Sequence, residues 1–533
     1  MENSIISAEI ADNLACSKQF FTAEETPQGK IRAYLEIYSD TRWADKRAAL
    51  MYLGSCVPKD NEQFIRALVG EGYAVCVLDY CGSDFESAES TTFPSDLSFA
   101  AYPKCKKFLN VITDSARNTP WFVWSKIARR ALSLIEQQRI IDASHIGIIG
   151  LGEGAHVAWQ VAAMDERVRA LVAIGDGGYR WAKGRSRFTD GNVPSTDEER
   201  AYSTGVGAET YAKFVHCPTF FITSRTARAT DVDRAGDIIS LVKSENKQML
   251  ISGGTDTQIT KAALDVLLNW LRGSFVQGKE TYCPYAEFEN VDGKLYFRMN
   301  TVHKAAKIRV FICYGEPLSS ARHWDLLENL QKVDTHLYAV GVPVYNPEEL
   351  IVAYATAYYD DGNIISTPVQ GVFPAKIGIE GRDSLRESSH IIYDGSMGLG
   401  SFTCLTKDTV IDEDALIQAT GPFDIEGITT LKGGLYLCRS AAEVDALNRT
   451  STLHFDAYSP VEKELCVSMY TYPEMQKYTA YANLDGGEFW QKILLQSADF
   501  KSEKGKTLSK FSDTKILAVH DAEGVIFNNF LWI

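Results

Sequence analysis

Apolar and polar positions follow two rhythms along these 533 residues, and the change between them divides the chain. From Lys30, IRAYLEIYS alternates like a half-exposed strand, and AALMYL at 48–53 is a short apolar run suited to a buried one. Residues 62–71 then space Phe64, Ile65, Leu68 and Val69 at helical intervals, and AVCVLDY at 74–80 returns to strand. Strand, helix, strand is the unit from which parallel sheets are built. After a mixed loop to about Tyr102, TPWFVWSKIARRALSLIEQQRIID places Phe122, Ile127, Ala128, Ala131, Leu132, Leu134 and Ile135 as the apolar side of a long helix. VRALVAI at 168–174, PTFFIT at 218–223 and KQMLIS at 247–252 read as further buried strands, and Leu264, Leu267, Leu268 and Leu271 form one stripe of a closing helix. The pattern predicts a doubly wound α/β sheet over 29–276, preceded at 1–28 by a polar arm without a clear period.

At 276–282 the rhythm changes. GKLYFRMN, KIRVFICYG, THLYAVGVPVYN and LIVAYATAYY are short strands punctuated by turn residues, which predicts an Ig-like β-sandwich at 283–378. A third block at 383–533 again alternates strands and turns (LKGGLYLC, NLDGGEFW, DAEGVIFNNFLWI) and predicts a second, jelly-roll-like sandwich. No internal repeat is visible.

Length alone suggests about three domains. The net charge of −15 argues against nucleic acid, whose phosphates need clustered Lys and Arg. The first twenty residues lack the basic start and apolar run of a signal peptide, and no apolar stretch reaches the roughly 18 residues of a membrane span. Eleven scattered cysteines without a C-x-x-C pair read as reduced, mostly buried thiols. These features point to a cytoplasmic protein with no membrane association and no metal site.

Chemistry concentrates in IGIIGLGEGAHVAW at 146–159. A buried run turns through glycines into a helix, the layout of the nucleophile elbow G-x-S-x-G, with Gly150, Leu151, Gly152, Glu153 and Gly154 at its five positions. The nucleophile's place is held by Gly152, whose hydrogen side chain has no lone pair with which to attack.

Together with ALVGEGYAVCVLDYCG, a Gly-Tyr turn into a buried strand ending in Asp, and the run from TPWFVW through the elbow to ERVRALVAI, residues 30–275 resemble an α/β-hydrolase of the dienelactone hydrolase and acyl esterase kind. The resemblance implies a Ser or Cys nucleophile, an acid after a later strand, a His after the last strand, and two backbone donors for the oxyanion. This sequence departs from it twice. Gly152 replaces the nucleophile, and GGTDTQIT at 253–260 holds no His where one is expected near Thr257. Asp231 and Asp233 occupy the place of the acid, with Asp176 after the preceding strand. Gly54, Ser55 and Cys56 form the loop that normally supplies an oxyanion donor, and Cys56 is a conceivable substitute nucleophile. Glu153 can serve as a base for water or as a ligand contact, and His156, four residues after Gly152, faces either the site or the core.

The expected function is therefore a hydrolase frame without classical hydrolase activity. It would bind a small acyl or carbohydrate-like molecule, or a protein partner, through Gly54, Ser55, Glu153 and His156, with no cofactor. The alternative is an active esterase with a displaced catalytic set drawn from Cys56, Glu153, Asp231 and His156. A third reading puts binding in the β domains, whose Tyr and Trp side chains can stack on sugars.

Overall fold

The computed structural model describes residues 3–533 apart from 12, 57–61, 85–86, 103, 226–230, 253–258, 282, 320–321, 323, 328, 382, 384–389, 398, 400–401, 406–410, 413–414, 438–450 and 472–474. Strands β1 (Asn3–Ala11), β2 (Leu14–Thr26) and β3 (Gly29–Asp40) form an antiparallel meander, so the stretch read from sequence as an arm supplies two sheet strands. β1 is the edge strand of the sheet, and β2 is paired on both sides, between β1 and β3.

Strands and helices then alternate: β4 (Arg47–Leu53), α1 (Glu62–Gly70), β5 (Ala74–Asp79), α2 (Pro120–Ile135), β6 (Ile141–Leu151), α3 (Glu153–Met164) and β7 (Val168–Ile174). They continue through α4 (Asp197–Gly205), α5 (Ala208–Ala212), β8 (Thr219–Ser224), α6 (Ala235–Leu241), β9 (Lys247–Ser252) and α7 (Lys261–Trp270). The nine strands order as β1-β2-β3-β5-β4-β6-β7-β8-β9. β3 runs antiparallel to β5, and β5 through β9 are mutually parallel. Alternate residues of one strand feed opposite faces: Ala49, Met51 and Leu53 pack with α2 and α3, whereas Leu50 and Tyr52 pack with α1 and α7. Helices on the two faces leave a crevice beyond the carboxyl ends of β4 and β6, where the strand order reverses. The fold is α/β-hydrolase-like, and the glycine elbow joins β6 to α3 at that crevice.

Two all-β sandwiches follow. The first stacks a four-stranded sheet, carrying Tyr285–Val291 and Lys294–Asn300, on a five-stranded one built around Lys307–Tyr314 and Ile351–Tyr358. The second stacks two six-stranded sheets around a core that includes Phe455, Phe527, Phe530 and Trp532. The first sandwich is welded to the α/β unit: Trp324, Val352, Tyr354 and Val369 belong to the same buried cluster as α2 and α3. The backbone N–H of Ile251, on β9, donates to the Ser366 hydroxyl at 3.0 Å. Among the described residues no helix is long and apolar enough to cross a membrane.

Candidate functional site

Gly152 caps α3 with φ 58° and ψ −121°, a conformation that costs a residue with a side chain about 1–3 kcal/mol. Its N–H donates to the Ile174 carbonyl at 2.9 Å, and its own carbonyl accepts from Ala155 at 2.9 Å. The flanking glycines permit the close approach. A Cβ at Gly150 would strike the backbone of Gly154 and Ala155, and one at Gly154 would strike the Leu53 and Gly54 carbonyls. The elbow geometry is thus complete: the Ala155 and His156 amides turn back to the Gly152 carbonyl, and Glu153 and Gly154 carry the first amides of α3.

The facing loop is fixed by Tyr80, whose hydroxyl donates to the Gly54 carbonyl at 2.7 Å. Asp79, the last residue of β5, explains why this loop system holds: its carboxylate accepts from the Gly82 and Thr91 amides and the Ser90 hydroxyl, each at 2.8 Å. Ser55 donates to Glu153 Oε2 at 3.0 Å, so two of the residues singled out from sequence meet across the crevice. Cys56 is buried, with Sγ 3.7 Å from the Tyr80 hydroxyl. Burial, reinforced by Cys81 and Glu153, pushes its thiol well above the ordinary range and keeps it protonated.

Behind Glu153 lies a residue the sequence reading passed over. Arg180 Nη2 stands 3.6 Å from Glu153 Oε1 and 2.6 Å from Asp176 Oδ2, and its guanidinium lies 5.0 Å from the centre of the Trp121 ring. Asp176 also accepts the Gly178 amide at 2.8 Å. Burial opposes ionisation of Asp176, but Arg180, His156 and the Gly178 amide outweigh it and hold the carboxyl at about 2. The signal for Arg180 was present as an acid and a base four residues apart, in the glycine-rich turn DGGYR that ends β7.

His156 is fully buried. Its Nε2 donates to the Val206 carbonyl at 2.7 Å, its Nδ1 lies 3.6 Å from Asp176, and its ring stacks on Trp121 at 4.1 Å. Of the two orientations open to it from sequence, the structure has the core one, and Glu153 and Ser55 meet without it. The two later acids are also committed elsewhere. Asp231 caps the turn at Asp233 and pairs with Arg234, while Asp233 is clasped through both oxygens by Arg322 of the first sandwich. Thr257 lies outside the described residues.

No family model matches this chain, and no curated protein matches it. Among solved structures it is similar to acetyl xylan esterase 1 from Thermoanaerobacterium sp. JW/SL YS485, at 14% identity and TM-score 0.36 over 49% of this chain and 83% of that one. It is also similar to a glucuronoyl esterase from Solibacter usitatus, at 13% identity and TM-score 0.37 over 51% and 85%. A third, a 2,6-dihydroxy-pseudo-oxynicotine hydrolase, stands at 15% identity and TM-score 0.35 over 49% and 69%. At such values the fold rests on the strand order and elbow of this chain itself.

Proposed function

We propose that this chain is an α/β-hydrolase-fold protein whose elbow binds a small acyl or carbohydrate-like ligand without forming a covalent bond to it. The observation that carries this is Gly152, in full elbow geometry and with no atom to attack. The other groups that hydrolysis would recruit are engaged: Cys56 is a buried thiol, His156 is bonded into the core, and Asp231 and Asp233 are bound by arginines. What remains suits a neutral ligand. A ligand hydroxyl donates to Glu153 while a carbonyl oxygen accepts from the opening amides of α3. The Arg180 charge is already balanced by Asp176 and Glu153, which disfavours a strongly anionic ligand. Full-length protein with p-nitrophenyl acetate or butyrate is expected to release nitrophenol at the buffer rate. Turnover above buffer that disappears in Ser55→Ala or Glu153→Gln would overturn the proposal.

That pair favours one second reading, an esterase with a displaced set. Ser55 already donates to Glu153, so its hydroxyl oxygen would attack the acyl carbon as the Glu153 carboxylate takes the proton; the ester C–O bond then breaks, Glu153 returns the proton to the departing alcohol, and water hydrolyses the acyl-serine.

A further inference from the structure

The second sandwich carries a face with the features of a ligand site, distant in sequence from the elbow. One of its sheets orders Leu416–Thr420, Glu426–Thr430, Ile526–Trp532, Thr452–Tyr458 and Gln491–Gln496. Ile428, Phe527, Leu453, Phe455, Ala457, Ile493 and Leu495 point into the core. Alternation therefore turns Thr429, His454, Asp456, Tyr458 and Lys492 to the opposite face.

A hairpin tip arches over that face. The turn 421–425 joins the two strands at one edge of the sheet, yet the Trp490 indole, at the other edge, donates to the Pro422 carbonyl at 3.0 Å. Strands lie about 4.8 Å apart, so this bond spans the width of the intervening two. Gly421 admits the contact, because a Cβ there would fall 2.5 Å from the Trp490 ring. Tyr458 packs on Trp490 at 6.1 Å between ring centres. At the apex Phe423 is 84% exposed although its backbone stands at φ 62°, and Asp424 beside it at φ 58°. Aromatic side chains seldom take such angles, and packing covers little of this one.

Beneath the arch, polar groups wait without partners. His454 is 6% exposed; its Nε2 meets Asp456 at 3.0 Å, but its Nδ1 has no hydrogen-bond partner among the described residues. Thr429 Oγ1, on a residue 8% exposed, likewise has none. Asp456 is steadied by the Asn529 amide at 2.6 Å. Unmade hydrogen bonds of this kind are unfavourable until something supplies them.

We propose that this face binds a neutral oligosaccharide. Pyranose rings present an apolar C–H face to an aromatic platform and a rim of hydroxyls to imidazole, hydroxyl and carboxylate groups, the combination assembled here by Phe423, Tyr458 and Trp490 over His454, Thr429 and Asp456. Asp424 and Asp456 against Lys492 leave the face net negative, which disfavours uronic acids, phosphates and anionic bilayers, and a bilayer would leave the polar floor unsatisfied.

Calorimetric titration of the full chain with cellohexaose, xylohexaose and maltohexaose tests this. At least one sugar is expected to bind, Phe423→Ala to weaken it about tenfold with the thermal midpoint unchanged, and Tyr458→Ala to weaken it about tenfold in protein that still unfolds cooperatively. Tyr481→Ala, which removes an aromatic 63% exposed on the other sheet, should leave binding intact. No heat from any of the three up to about 10 mM, far above typical ligand affinities, overturns the proposal. So does sugar binding that survives both platform variants, or binding of phosphatidylcholine vesicles, lost in Phe423→Ala, in place of sugar.

Discussion

Ser55 and Glu153, 98 residues apart in sequence, meet at 3.0 Å across the carboxyl ends of β4 and β6. The contact closes the space above Gly152 with a hydroxyl–carboxylate pair. It is held from below by Arg180 and from the side by the Tyr80 bond to Gly54. The elbow therefore survives as a shaped polar crevice whose parts bind one another.

Restoring the missing oxygen should not restore the reaction. Gly152→Ser places a side chain on backbone at φ 58°, ψ −121°, and is expected to lower stability by about 1–3 kcal/mol in denaturant titration. Ester turnover should stay at the buffer rate, because no His stands in 253–260 to take the serine proton. The neighbouring Gly154→Ala, which drives a methyl into the Leu53 and Gly54 carbonyls, should destabilise by a similar or larger amount.

Arg322→Met leaves Asp233 buried and unpaired at the junction of the α/β unit and the first sandwich. The expected loss is about 3–5 kcal/mol in unfolding free energy. Adding Asp233→Asn should recover part of it, giving a coupling well away from zero in the double-mutant cycle.

Acid should expose Asp176. Its carboxyl is lowered from 3.8 to about 2 in the fold, so its contribution is present above pH 4 and fades as the pH falls toward 2. The shift corresponds to about 2 kcal/mol. Denaturant midpoints measured from pH 5 to pH 2 should fall less steeply for Asp176→Asn than for the parent, from a lower starting stability.

Much of this was legible in the sequence, for identifiable reasons. Buried parallel strands read as unbroken apolar runs, so β4, β5, β7, β8 and β9 announced themselves, and the glycine spacing of the elbow reflects backbone contacts that only glycine allows. β2 lacks a readable period because it buries Cys16, Gln19, Phe20 and Phe21 at irregular spacing, with a bulge between Thr22 and Glu24, rather than in alternation. At the site, Gly54, Ser55 and Glu153 were named from their places next to strand ends, which topology brings together. Which way His156 points was beyond sequence, since one turn of α3 separates core from crevice. The Arg180–Asp176 pair is written locally in DGGYR, but its reach to Glu153 and the Arg322 clasp on Asp233 depend on loops and on a second domain meeting the first, contacts that no local pattern encodes.

Cys56 should behave as an inert thiol. Iodoacetamide at pH 7.5 is expected to leave Cys56 and Cys81 unmodified in the native protein and to alkylate both in denaturant, read by peptide mass spectrometry.

The most direct test of a hydrolase frame without a nucleophile is the intact mass of the full chain after incubation with an excess of a fluorophosphonate ester. An unshifted mass is the expected result. A single stoichiometric adduct on Ser55 or Cys56, lost in Glu153→Gln, would contradict it.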